Sequence, residues 1–457
     1  MQSFIFTERV DPKKRSINER LKDFSEVYEI YTPNEAALQS ERCVQCGDPY
    51  CHNKCPLHNY IPHWLKAVGE SDLELAFKLS NESSPFPEVM GRICPHDRLC
   101  EGDCTLNEGY GAITIGPVET YISEEGFKRG FRPEFAPLTT NKKVAIIGSG
   151  PAGLSVATFL LRAGIEPHIY EKEDRPGGLL TYGIPGFKLD KRVIQRRVDW
   201  MLEAGMKLFL NSEVGKDISF DYLLENYDAV FIGIGAKKSR MPNIKGENAK
   251  GAMPAMKFLV NIQRKLFGDD YDSSINVKDK TVVVIGGGDT AMDCVRTSIR
   301  EGARKVICAY RRDTKSMPGS KKEYQNAVEE GGEFIFNVAP KEVLTNDDGR
   351  VIGLKMIKTL ISDKKLEEIK GSEFRLDADV VIFALGFSNT PLKFLSENGI
   401  ETNEWGGVVV DKNYETTKPG VYAGGDCYRG ADLVVTAAYD GREAANAIIK
   451  KLLENKS

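Results

Sequence analysis

The run Val144-Ala-Ile-Ile-Gly148-Ser-Gly150-Pro-Ala-Gly153 decides how the larger part of this chain folds. Its first four residues predict a short buried strand, and the apolar residues from Leu154 to Ala163 predict a helix that stops before Gly164. The next apolar stretch, from Ile165 to Tyr170, predicts a second strand and is followed by Glu171. Strand, glycine turn, helix, strand and acid in this order are the fingerprint of a dinucleotide-binding unit.

Each glycine of the turn has its own physical role in that fingerprint. Gly148 allows the tight turn, Gly150 lets the backbone approach a pyrophosphate, and Gly153 lets the helix pack on the strand. Amide groups at the helix start face the phosphates, so Pro151 and Ala152 are assigned to the same site. The acid after the second strand is placed to hold ribose hydroxyls. A plain strand–turn–helix unit is the alternative, and the acid disfavours it.

Two accessory stretches resemble segments of FAD enzymes. Arg175-Pro-Gly177-Gly178-Leu179 resembles the stretch that follows their ribose-binding acid. Gly420-Val-Tyr-Ala-Gly424-Gly425-Asp426 resembles their second flavin motif, in which the aspartate meets the ribityl and pyrophosphate region. The resemblance implies FAD as the cofactor of the first unit, and it adds four residues to the predicted site: Gly178, Leu179, Gly425 and Asp426.

The strand–turn–helix–strand unit then occurs a second time. A strand at Thr281–Ile285 leads to the turn Gly286-Gly-Gly288-Asp289-Thr290-Ala291, a helix from Ala291 to Arg300 and a strand from Lys305 to Tyr310. The residues after the second strand are Arg311 and Arg312 instead of a carboxylate. A carboxylate would repel a 2′-phosphate, whereas guanidinium groups bind it through charge-assisted hydrogen bonds. This turn is therefore predicted to bind NADPH, with a solvated basic turn as the alternative. Its assigned contacts are Gly286, Gly288, Asp289, Thr290, Ala291, Arg311 and Arg312.

Two similar apolar strands connect these motifs. Residues 228–235 and 379–386 are near copies, and each ends in a glycine, Gly235 or Gly386, that suits backbone running close to a nucleotide. The order of motifs predicts an NADPH-binding domain, 256–385, inserted into an FAD-binding domain made of 141–255 and 386–457. The predicted fold class is α/β, with two Rossmann-like nucleotide-binding domains of the disulfide-reductase type behind a mostly helical iron–sulfur domain.

Residues 1–140 are predicted to form that helical domain. The stretches that begin at Ile61 and Asp72 place apolar residues three and four positions apart, the helical period. Ser71 is predicted to cap the second of these helices. The ten residues from Arg132 to Asn141 are rich in proline and threonine without an apolar period, so they predict a linker.

Seven of the ten cysteines lie in the helical domain. Four of them have spacers of two, four and three residues and end in Cys-Pro: Cys43, Cys46, Cys51 and Cys55. This run resembles that of bacterial ferredoxins, although their middle spacer is two residues. Closely spaced cysteines also hold structural zinc, which is the alternative. An odd number of cysteines disfavours a purely disulfide framework.

Two 4Fe-4S clusters would need eight ligands. In ferredoxin-like runs the fourth cysteine ligates the other cluster. One cluster is therefore expected to take Cys55, Cys94 and Cys100, and the other the remaining four: Cys43, Cys46, Cys51 and Cys104. One position stays open, and the histidines of the domain that could fill it are His52, His58, His63 and His96.

The nucleotide domains offer no disulfide as an outlet for electrons. They contain no Cys-x-x-Cys, and the isolated Cys294, Cys308 and Cys427 are expected to be buried small side chains. FAD with NADPH gives hydride transfer, for which the protein supplies geometry. A flavin accepts two electrons at once and releases them singly, as 4Fe-4S clusters require. The cysteine domain is therefore the predicted electron exit.

Composition limits the partners and the compartment. The 457 residues include 62 Lys and Arg against 66 Asp and Glu, a net charge of −4, so no global field favours nucleic acid or an anionic membrane. The N-terminal residues lack the basic and apolar segments of a secretory signal. No apolar run approaches the roughly 18 residues of a membrane span. Ten cysteines without an export signal indicate reduced thiols in a cytoplasmic protein.

Five stretches together resemble one known family. They are Arg42-Cys-Val-Gln-Cys-Gly-Asp-Pro-Tyr-Cys51, Cys55-Pro-Leu-His-Asn-Tyr-Ile-Pro62, Gly91-Arg-Ile-Cys-Pro-His-Asp-Arg-Leu-Cys-Glu-Gly102, Gly183-Ile-Pro-Gly-Phe-Lys-Leu189 and Gly286-Gly-Gly-Asp-Thr-Ala-Met-Asp-Cys-Val-Arg-Thr297. Over essentially its whole length the chain resembles the small (beta) chains of NADPH-dependent glutamate synthase. The resemblance implies NADPH oxidation at FAD and electron transfer through the clusters to a large (alpha) subunit. That subunit holds FMN, hydrolyses glutamine and reduces the 2-iminoglutarate formed from 2-oxoglutarate.

The cysteine domain is also similar to the N-terminal part of dihydropyrimidine dehydrogenase. One cluster there has a non-cysteine ligand in an Ile-Gly-x-Leu-Gln stretch, which matches Ile115-Gly-Pro-Val-Glu119 here. The resemblance implies Glu119 as the eighth ligand, with an ordinary helix-start carboxylate as the alternative. The glutamate synthase family also has the four-residue middle spacer, which removes that objection to iron.

Two other functions use the same features. A ferredoxin or sulfide:NADP oxidoreductase subunit would have the same cofactors and another acceptor. A non-catalytic assembly protein with zinc in the cysteine domain would be colourless, and it would not need the arginine pair after the second dinucleotide unit.

Overall fold

The computed structural model describes residues 3–362, 365–389 and 392–453. The N-terminal domain is helical, as predicted. Its helices are α1 (Ile17–Arg20), α2 (Pro33–Glu41), α3 (Tyr50–Lys54), α4 (Ile61–Gly69), α5 (Leu73–Ser83), α6 (Pro87–Ile93) and α7 (Ile115–Lys128).

Local capping explains where these helices begin. Thr32 starts α2 with a capping box, in which its hydroxyl accepts from the Glu35 amide at 3.3 Å and the Glu35 carboxylate accepts from the Thr32 amide at 2.8 Å. The cap of α5 is Asp72, whose side chain accepts from the Leu75 amide at 3.0 Å. The prediction of Ser71 as this cap is wrong, because Ser71 lies in the preceding turn with φ of +62°.

The first nucleotide-binding region follows an extended segment. Its elements are β1 (Lys143–Ile147), α8 (Pro151–Arg162), β2 (Glu166–Tyr170), α9 (Leu179–Tyr182), α10 (Lys191–Glu203), β3 (Lys207–Phe209), α11 (Phe220–Asn226) and β4 (Ala229–Ile232). The short strand β5 (Lys238–Ser239) then leads away from this region.

The second region contains its own sheet. Its elements are β6 (Ala252–Pro254), α12 (Ala255–Phe267), β7 (Thr281–Ile285), α13 (Asp289–Arg300), β8 (Lys305–Tyr310), α14 (Lys321–Glu329), β9 (Glu333–Phe336), β10 (Val338–Thr345), β11 (Val351–Ser362), β12 (Lys365–Glu368), β13 (Phe374–Leu376) and β14 (Val380–Phe383). The chain returns to the first region through β15 (Phe387–Ser388), α15 (Lys393–Glu397), β16 (Val421–Ala423), α16 (Asp426–Arg429) and α17 (Val434–Leu453).

Two parallel sheets of five strands organise these regions. Their strand orders are β16-β4-β1-β2-β3 and β6-β14-β7-β8-β9, and every neighbouring pair is parallel. The central strands are almost fully buried because both faces of each sheet are covered, as in doubly wound α/β folds. The predicted fold class is confirmed.

The boundary between the two regions differs from the prediction. The sequence assigns residues 241–254 to the first nucleotide-binding domain, but Met241, Ile244 and Ala249 pack against the core of the second region. Strand β6 is hydrogen-bonded to β14 of the second sheet. The crossing point is the antiparallel pair of β5 and β15, in which Phe387 faces Ser239. The second region therefore begins near residue 241, because its edge strand comes before its first long helix.

The second region also contains an antiparallel excursion, a group of strands outside its parallel sheet, that the sequence did not predict. Strands β10, β11, β12 and β13 form a four-stranded antiparallel sheet between β9 and β14. Its inner face, which includes Val343, Leu354 and Met356, covers one side of the second parallel sheet.

Buried ion pairs join the helical domain to both nucleotide-binding regions. Arg197 of α10 forms two hydrogen bonds, of 2.7 and 2.6 Å, with Glu88 of α6, and both side chains are almost fully buried. The N-terminal arm, defined as residues 8–30, reaches the second region, where Arg20 contacts Glu329 at 2.7 Å and Glu330 at 3.5 Å. No helix within the described ranges has the length and apolar character to cross a bilayer.

Candidate functional site

A cavity of about 370 Å³ lies where the carboxyl ends of β1, β4 and β16 meet. Ligands in open α/β sheets bind at this edge. We call it the large cavity. Twelve of the residues predicted to bind nucleotides line it: Gly148, Gly150, Pro151, Ala152, Glu171, Gly178, Leu179, Gly235, Asp289, Thr290, Gly425 and Asp426.

The first glycine turn is shaped by close backbone contacts. Gly148 has φ of +95°, a conformation that favours glycine. A Cβ atom on Gly153 would lie 2.0 Å from the Gly148 carbonyl oxygen, so any larger residue would push α8 away from the turn. Gly153 therefore lies behind the cavity wall, and the free amide groups at the start of α8 face a space that would accept an anion.

Glu171 is held at one end of the large cavity by its neighbours. It is 4% exposed, and its carboxylate accepts from the Ser149 amide at 2.9 Å, the Ser149 hydroxyl at 2.5 Å and the Glu173 amide at 3.0 Å. Lys172 and Lys237 line the same end. Burial lowers the pKa of Lys237, and the charge of Lys172 acts in the same direction. The sequence prediction did not include either lysine.

Asp426 lies at the first position of α16 and faces the large cavity. Burial raises the pKa of its carboxyl to about 7, and the charges of Asp432 and Asp440 act in the same direction. The loop before it is fixed because the Gly425 amide donates to Asp440 at 3.0 Å. A carboxylate in this place is suited to accept hydrogen bonds from ligand hydroxyl groups.

The other end of the large cavity is apolar apart from one charged pair. Leu180, Ile184 and the first turn of α17 supply the apolar surface. Lys188 lies 3.1 Å from Asp293 of α13, and both side chains are about one-tenth exposed. Burial opposes the charge of Lys188, but Asp293 and Glu323 raise its pKa above the usual value.

The ion pair of Lys188 and Asp293 was not predicted from the sequence. Burial raises the pKa of Asp293 to about 6, while Lys188 opposes that shift. Lys188 lies inside the stretch Gly183–Leu189 that carried the family resemblance, so a signal was present, although it did not indicate this role.

The second glycine turn belongs to the second region. A Cβ atom on Gly286 would lie 2.4 Å from the Ala384 carbonyl oxygen, Gly288 precedes the first residue of α13, and Ala291 is fully buried. Asp289 accepts from the Ser320 amide at 3.0 Å and lies 3.4 Å from Arg98 of the helical domain. The helical domain therefore touches the start of α13 directly.

Arg311 and Arg312 follow β8 at the rim of this turn. Their backbone carbonyl groups accept from Thr359 at 2.9 Å and from the Asn337 amide at 3.2 Å. Neither guanidinium forms a salt bridge or hydrogen bond with any residue that the structure describes. Both are thus free to bind an anion. Gly386, the last predicted residue of this group, lies between β14 and β15, and its carbonyl accepts from the Arg240 amide at 2.9 Å.

The seven cysteines of the helical domain line two small cavities. The first cysteine cavity has Cys43, Cys46, Cys51 and Cys104 in its wall. The second cysteine cavity has Cys55, Cys94, Cys100 and Glu119. The structure thus brings together the two sets of four that the sequence and the family resemblance predicted. His96 also lines the second cavity, whereas His52, His58 and His63 line neither.

The shape of these donor sets distinguishes a cluster from a single ion. Structural zinc needs four ligands within about 2.0–2.3 Å of one point. Within residues 3–362, 365–389 and 392–453, no three His, Cys, Asp or Glu side chains converge closely enough to hold a metal ion. The thiols instead surround a space, which fits a 4Fe-4S cluster because each of its irons takes one ligand.

The buried thiols of the helical domain hold their protons tightly. Burial raises the pKa of Cys43 to about 11 and that of Cys51 to about 12. Metal binding must displace these protons, so loading would be favoured by higher pH. The three remaining cysteines, Cys294, Cys308 and Cys427, are buried and unpaired as expected.

Glu119 lies on α7 and is 6% exposed. Burial raises the pKa of its carboxyl to about 8, and Glu88 acts in the same direction, while a hydrogen bond from Asn59 opposes the shift. The amide of Asn59 donates to one carboxylate oxygen of Glu119 at 3.0 Å.

The three cavities form a continuous series. Cys94 and Val435 line both the large cavity and the second cysteine cavity. Ile115 lines both cysteine cavities. Cys51 and Cys55 lie one helical turn apart at α3, where the Cys55 amide donates to the Cys51 carbonyl at 3.2 Å. Neighbouring cavities in the series therefore share wall residues.

This fold and series of cavities define a nucleotide-dependent oxidoreductase with an iron–sulfur domain. Residues 142–441 match the family model for pyridine nucleotide-disulphide oxidoreductases, and residues 20–131 match the model described as dihydropyrimidine dehydrogenase domain II, 4Fe-4S cluster. The fold is also similar to that of Mycobacterium tuberculosis FprA in complex with NADPH, with a TM-score of 0.58 and 20% identity over 70% of this chain and 85% of that one.

Two relatives are similar over nearly the whole chain. The glutamate synthase (NADPH) small chain of Escherichia coli (strain K12) is 45% identical, and the match covers 98% of each protein. AegA of the same organism, named only as an oxidoreductase, is 44% identical over 96% of this chain and 69% of its own length. The chain belongs to the family of glutamate synthase (NADPH) small chains and is an NADPH-dependent oxidoreductase.

Proposed function

We propose that this chain is the electron-input subunit of a glutamate synthase. It would oxidise NADPH and pass the electrons to a large subunit that carries FMN and makes glutamate from glutamine and 2-oxoglutarate. The observation that carries this proposal is that the large cavity shares Cys94 with the second cysteine cavity, which in turn shares Ile115 with the first. The full-length similarity to the Escherichia coli small chain supports the choice of acceptor.

The proposed FAD site is the large cavity. The amide groups at the start of α8 would bind the pyrophosphate, Glu171 the ribose and Asp426 the ribityl chain. The proposed contacts are Gly148, Gly150, Pro151, Ala152, Glu171, Gly178, Leu179, Gly235, Gly425 and Asp426. Gly153 would serve the site from behind the wall by letting α8 pack closely on the turn. Lys188, kept positive by Asp293, would place a fixed charge at the apolar end, where a flavin ring would lie.

The proposed NADPH site is the second glycine turn. Its contacts are Gly286, Gly288, Asp289, Thr290, Ala291 and Gly386, with Arg311 and Arg312 for the 2′-phosphate. Asp289 and Thr290 also line the large cavity, so a nucleotide at this turn would reach the first site. Bound FAD would supply acceptance of hydride from NADPH, and bound clusters would supply transfer of single electrons.

The proposed clusters number two. One would be held by Cys43, Cys46, Cys51 and Cys104, and the other by Cys55, Cys94, Cys100 and Glu119. The second set shares a wall with the large cavity and would receive electrons first. The first set is further away and would be the exit toward the large subunit.

Reconstitution tests the proposal. The purified chain is mixed with the large subunit of a glutamate synthase, glutamine, 2-oxoglutarate and NADPH, and glutamate formation is measured. Glutamate formation should depend on this chain and on NADPH, and it should keep pace with NADPH oxidation. A reaction without this chain and one with NADH in place of NADPH are the controls.

A second candidate is electron input to another acceptor, as in a ferredoxin or sulfide:NADP oxidoreductase. The similarity to AegA over 96% of this chain favours it, because AegA is not named as a glutamate synthase component. NADPH-dependent reduction of ferredoxin, together with no glutamate in the reconstituted mixture, would establish this candidate and eliminate the first.

A further inference from the structure

Asn59 is a hydrogen-bond partner of Glu119 in the wall of the second cysteine cavity. Its side chain lines that cavity and is 3% exposed. The Asn59 Nδ2 atom donates to Glu119 Oε1 at 3.0 Å and to the Ser80 carbonyl at 3.5 Å. The Asn59 Oδ1 atom accepts from Trp64 Nε1 at 3.3 Å. Every polar atom of the amide group therefore has a partner.

The partners fix which way the amide points. The indole of Trp64 can only donate a hydrogen bond, and a backbone carbonyl can only accept one. Oδ1 must therefore face Trp64, and Nδ2 must face Ser80 and Glu119. Exchange of the two ends would place donor against donor and acceptor against acceptor, inside a core where Trp64 and Ser80 are fully buried.

The position of Asn59 is also anchored through its backbone. Its carbonyl oxygen lies 3.0 Å from Nδ1 of His52, which belongs to α3 between the two cysteines Cys51 and Cys55. Asn59 thus connects α3, α4, α5 and α7, the last through Glu119. Rotation of the amide away from Glu119 would break its side-chain contacts to α4, α5 and α7.

One oxygen of Glu119 is consequently occupied and the other is left for the cavity. Glu119 Oε1 accepts the bond from Asn59, and Oε2 has no hydrogen-bond partner among the described residues. A carboxylate can accept a hydrogen bond with one oxygen and bind a metal with the other. A glutamine in the same place cannot, because its NH₂ group would face either the NH₂ group of Asn59 or the iron.

We propose that Asn59 is a positioning residue that selects glutamate over glutamine as the eighth ligand and sets the reduction potential of that cluster. The inference rests on the proposed cluster assignment. Hydrogen bonds to the ligands of an iron–sulfur cluster stabilise the additional negative charge of the reduced form. Loss of the Asn59 bond should therefore lower the midpoint potential of the cluster that Glu119 ligates.

A pair of exchanged substitutions tests this directly. In full-length Asn59→Asp, a carboxylate would face Glu119, and in full-length Glu119→Gln, two amide NH₂ groups would meet. Asn59→Asp should lose iron or show a lower midpoint potential for one cluster, and Glu119→Gln should lose iron. The double variant restores one donor and one acceptor with their positions exchanged. The carboxylate introduced at position 59 would accept a hydrogen bond from the NH₂ group introduced at position 119. The carbonyl oxygen of the amide at position 119 would then face the cavity.

The measurements are iron and sulfide content and redox titration followed by electron paramagnetic resonance. The double variant should regain iron relative to Glu119→Gln. Asn81→Asp is the matched control, because Asn81 is a buried amide of α5 that lines neither cysteine cavity, and its spectra should equal those of the parent. Where Asn59→Asp does not fold, Asn59→Ser is measured, and a lowered potential with normal iron is expected.

Separate outcomes address the inference and the proposed function. Unchanged iron and potential in both Asn59 variants, or a double variant no better than Glu119→Gln, would overturn the role of Asn59 while leaving the clusters in place. A parent protein without cluster iron would overturn the cluster assignment and this inference with it.

Discussion

Arg311 and Arg312 are the two residues that we propose to select NADPH over NADH. Replacing Arg311 with Gln and Arg312 with Glu should raise the KM for NADPH far more than that for NADH. Each lost charge-assisted hydrogen bond is worth about 1.5–3 kcal/mol, so the NADPH effect should exceed roughly tenfold. Steady-state kinetics with both nucleotides measure it.

A control for that change is Arg375→Gln. Arg375 lies in β13 and is bound to Asp377 at 2.8 Å, away from the glycine turn. Its substitution should leave both KM values unchanged. Equal effects of the arginine pair on NADPH and NADH would disprove the 2′-phosphate assignment.

Asp426 should make the flavin-free protein sensitive to pH. Burial raises the pKa of this carboxyl to about 7, above its ordinary value near 4, so the protonated form is favoured in the folded state. The corresponding stabilisation is fully present below pH about 4 and is lost as the pH rises toward 7. The variant Asp426→Asn has no such dependence.

The measurement is chemical unfolding of flavin-free protein at pH 5 and pH 8. The stability of Asp426→Asn relative to the parent should be greater at pH 8 than at pH 5. The same variant should hold FAD less tightly, because the amide replaces an acceptor for ligand hydroxyl groups. A pH-independent difference in stability would contradict a raised pKa for this buried carboxyl.

At the scale of the element, a buried carboxylate at the end of α14 joins this helix to α13 and to the N-terminal arm. Glu330 is fully buried in its side chain and pairs with Arg296 at 2.9 Å and with Arg300 at 2.6 Å, while Arg20 of the N-terminal arm lies at 3.5 Å. Glu330→Gln would leave three buried guanidinium groups without their shared carboxylate. Breaking a buried pair in this way costs about 3–5 kcal/mol.

The neighbouring Glu329 is a matched control for that prediction. Its side chain is 40% exposed and contacts Lys14 and Arg20. Exposed pairs contribute about 0–1 kcal/mol, so Glu329→Gln should have a small effect. Denaturant unfolding curves compare the two. A similar loss of stability in both variants would argue against Glu330 as the centre of the arrangement.

Elements with a strong local signal could be predicted from the sequence. The strands Thr281–Ile285 and Lys305–Tyr310 have the predicted bounds because apolar runs between turn residues define them. Helices α8 and α13 begin earlier than predicted, at Pro151 and Asp289, because the dinucleotide turn itself supplies their first residues. Periodicity cannot show this, since those first residues belong to the turn motif and not to an apolar repeat.

The antiparallel excursion and the domain boundary depended on contacts over long distances in the chain. Strand β6 has three residues and no pattern of its own, and its pairing with β14 joins residues far apart in the sequence, such as Ala252 and Val381. Similarly, Lys188 and Asp293 are ordinary in the sequence and acquire a role only when α13 approaches the loop before α10.

For the whole molecule, the order of the cavities predicts which substitutions impair electron exit without impairing hydride transfer. Cys46→Ser removes a thiol from the first cysteine cavity, which shares no lining residue with the large cavity. NADPH should still bleach the flavin of this variant, because the large cavity is unchanged. Glutamate formation with a large subunit should fall to a small fraction of the parent rate, because the exit cluster is impaired.

Cys294→Ala is the control for that experiment. Cys294 is buried on α13 and lines neither cysteine cavity, so iron content and glutamate formation should remain those of the parent. Absorbance at the flavin maximum, iron analysis and a glutamate assay give the comparison. Full glutamate formation by Cys46→Ser would remove the first cysteine cavity from the electron path.

The division of cysteines between two cavities could be predicted because ligand number and order in the chain limited the choices. The residues that form the walls between neighbouring cavities could not be predicted. Ile115 and Val435 are apolar residues in unrelated parts of the sequence, and only the packing of α7 and α17 against the cysteine loops places them between cavities.

The buried pair of Arg197 and Glu88 has a consequence for the exchange of modules among related proteins. Glu88 belongs to the helical domain and Arg197 to the first nucleotide-binding domain. Substitution of either residue would leave the other charge buried without its partner. Arg197 and Glu88 can therefore change only together. The helical domain and the first nucleotide-binding domain are for this reason expected to be inherited as a unit when genes recombine. A hybrid that joins the helical domain of one relative to the nucleotide domains of another should fold only when both partners of this pair come with it.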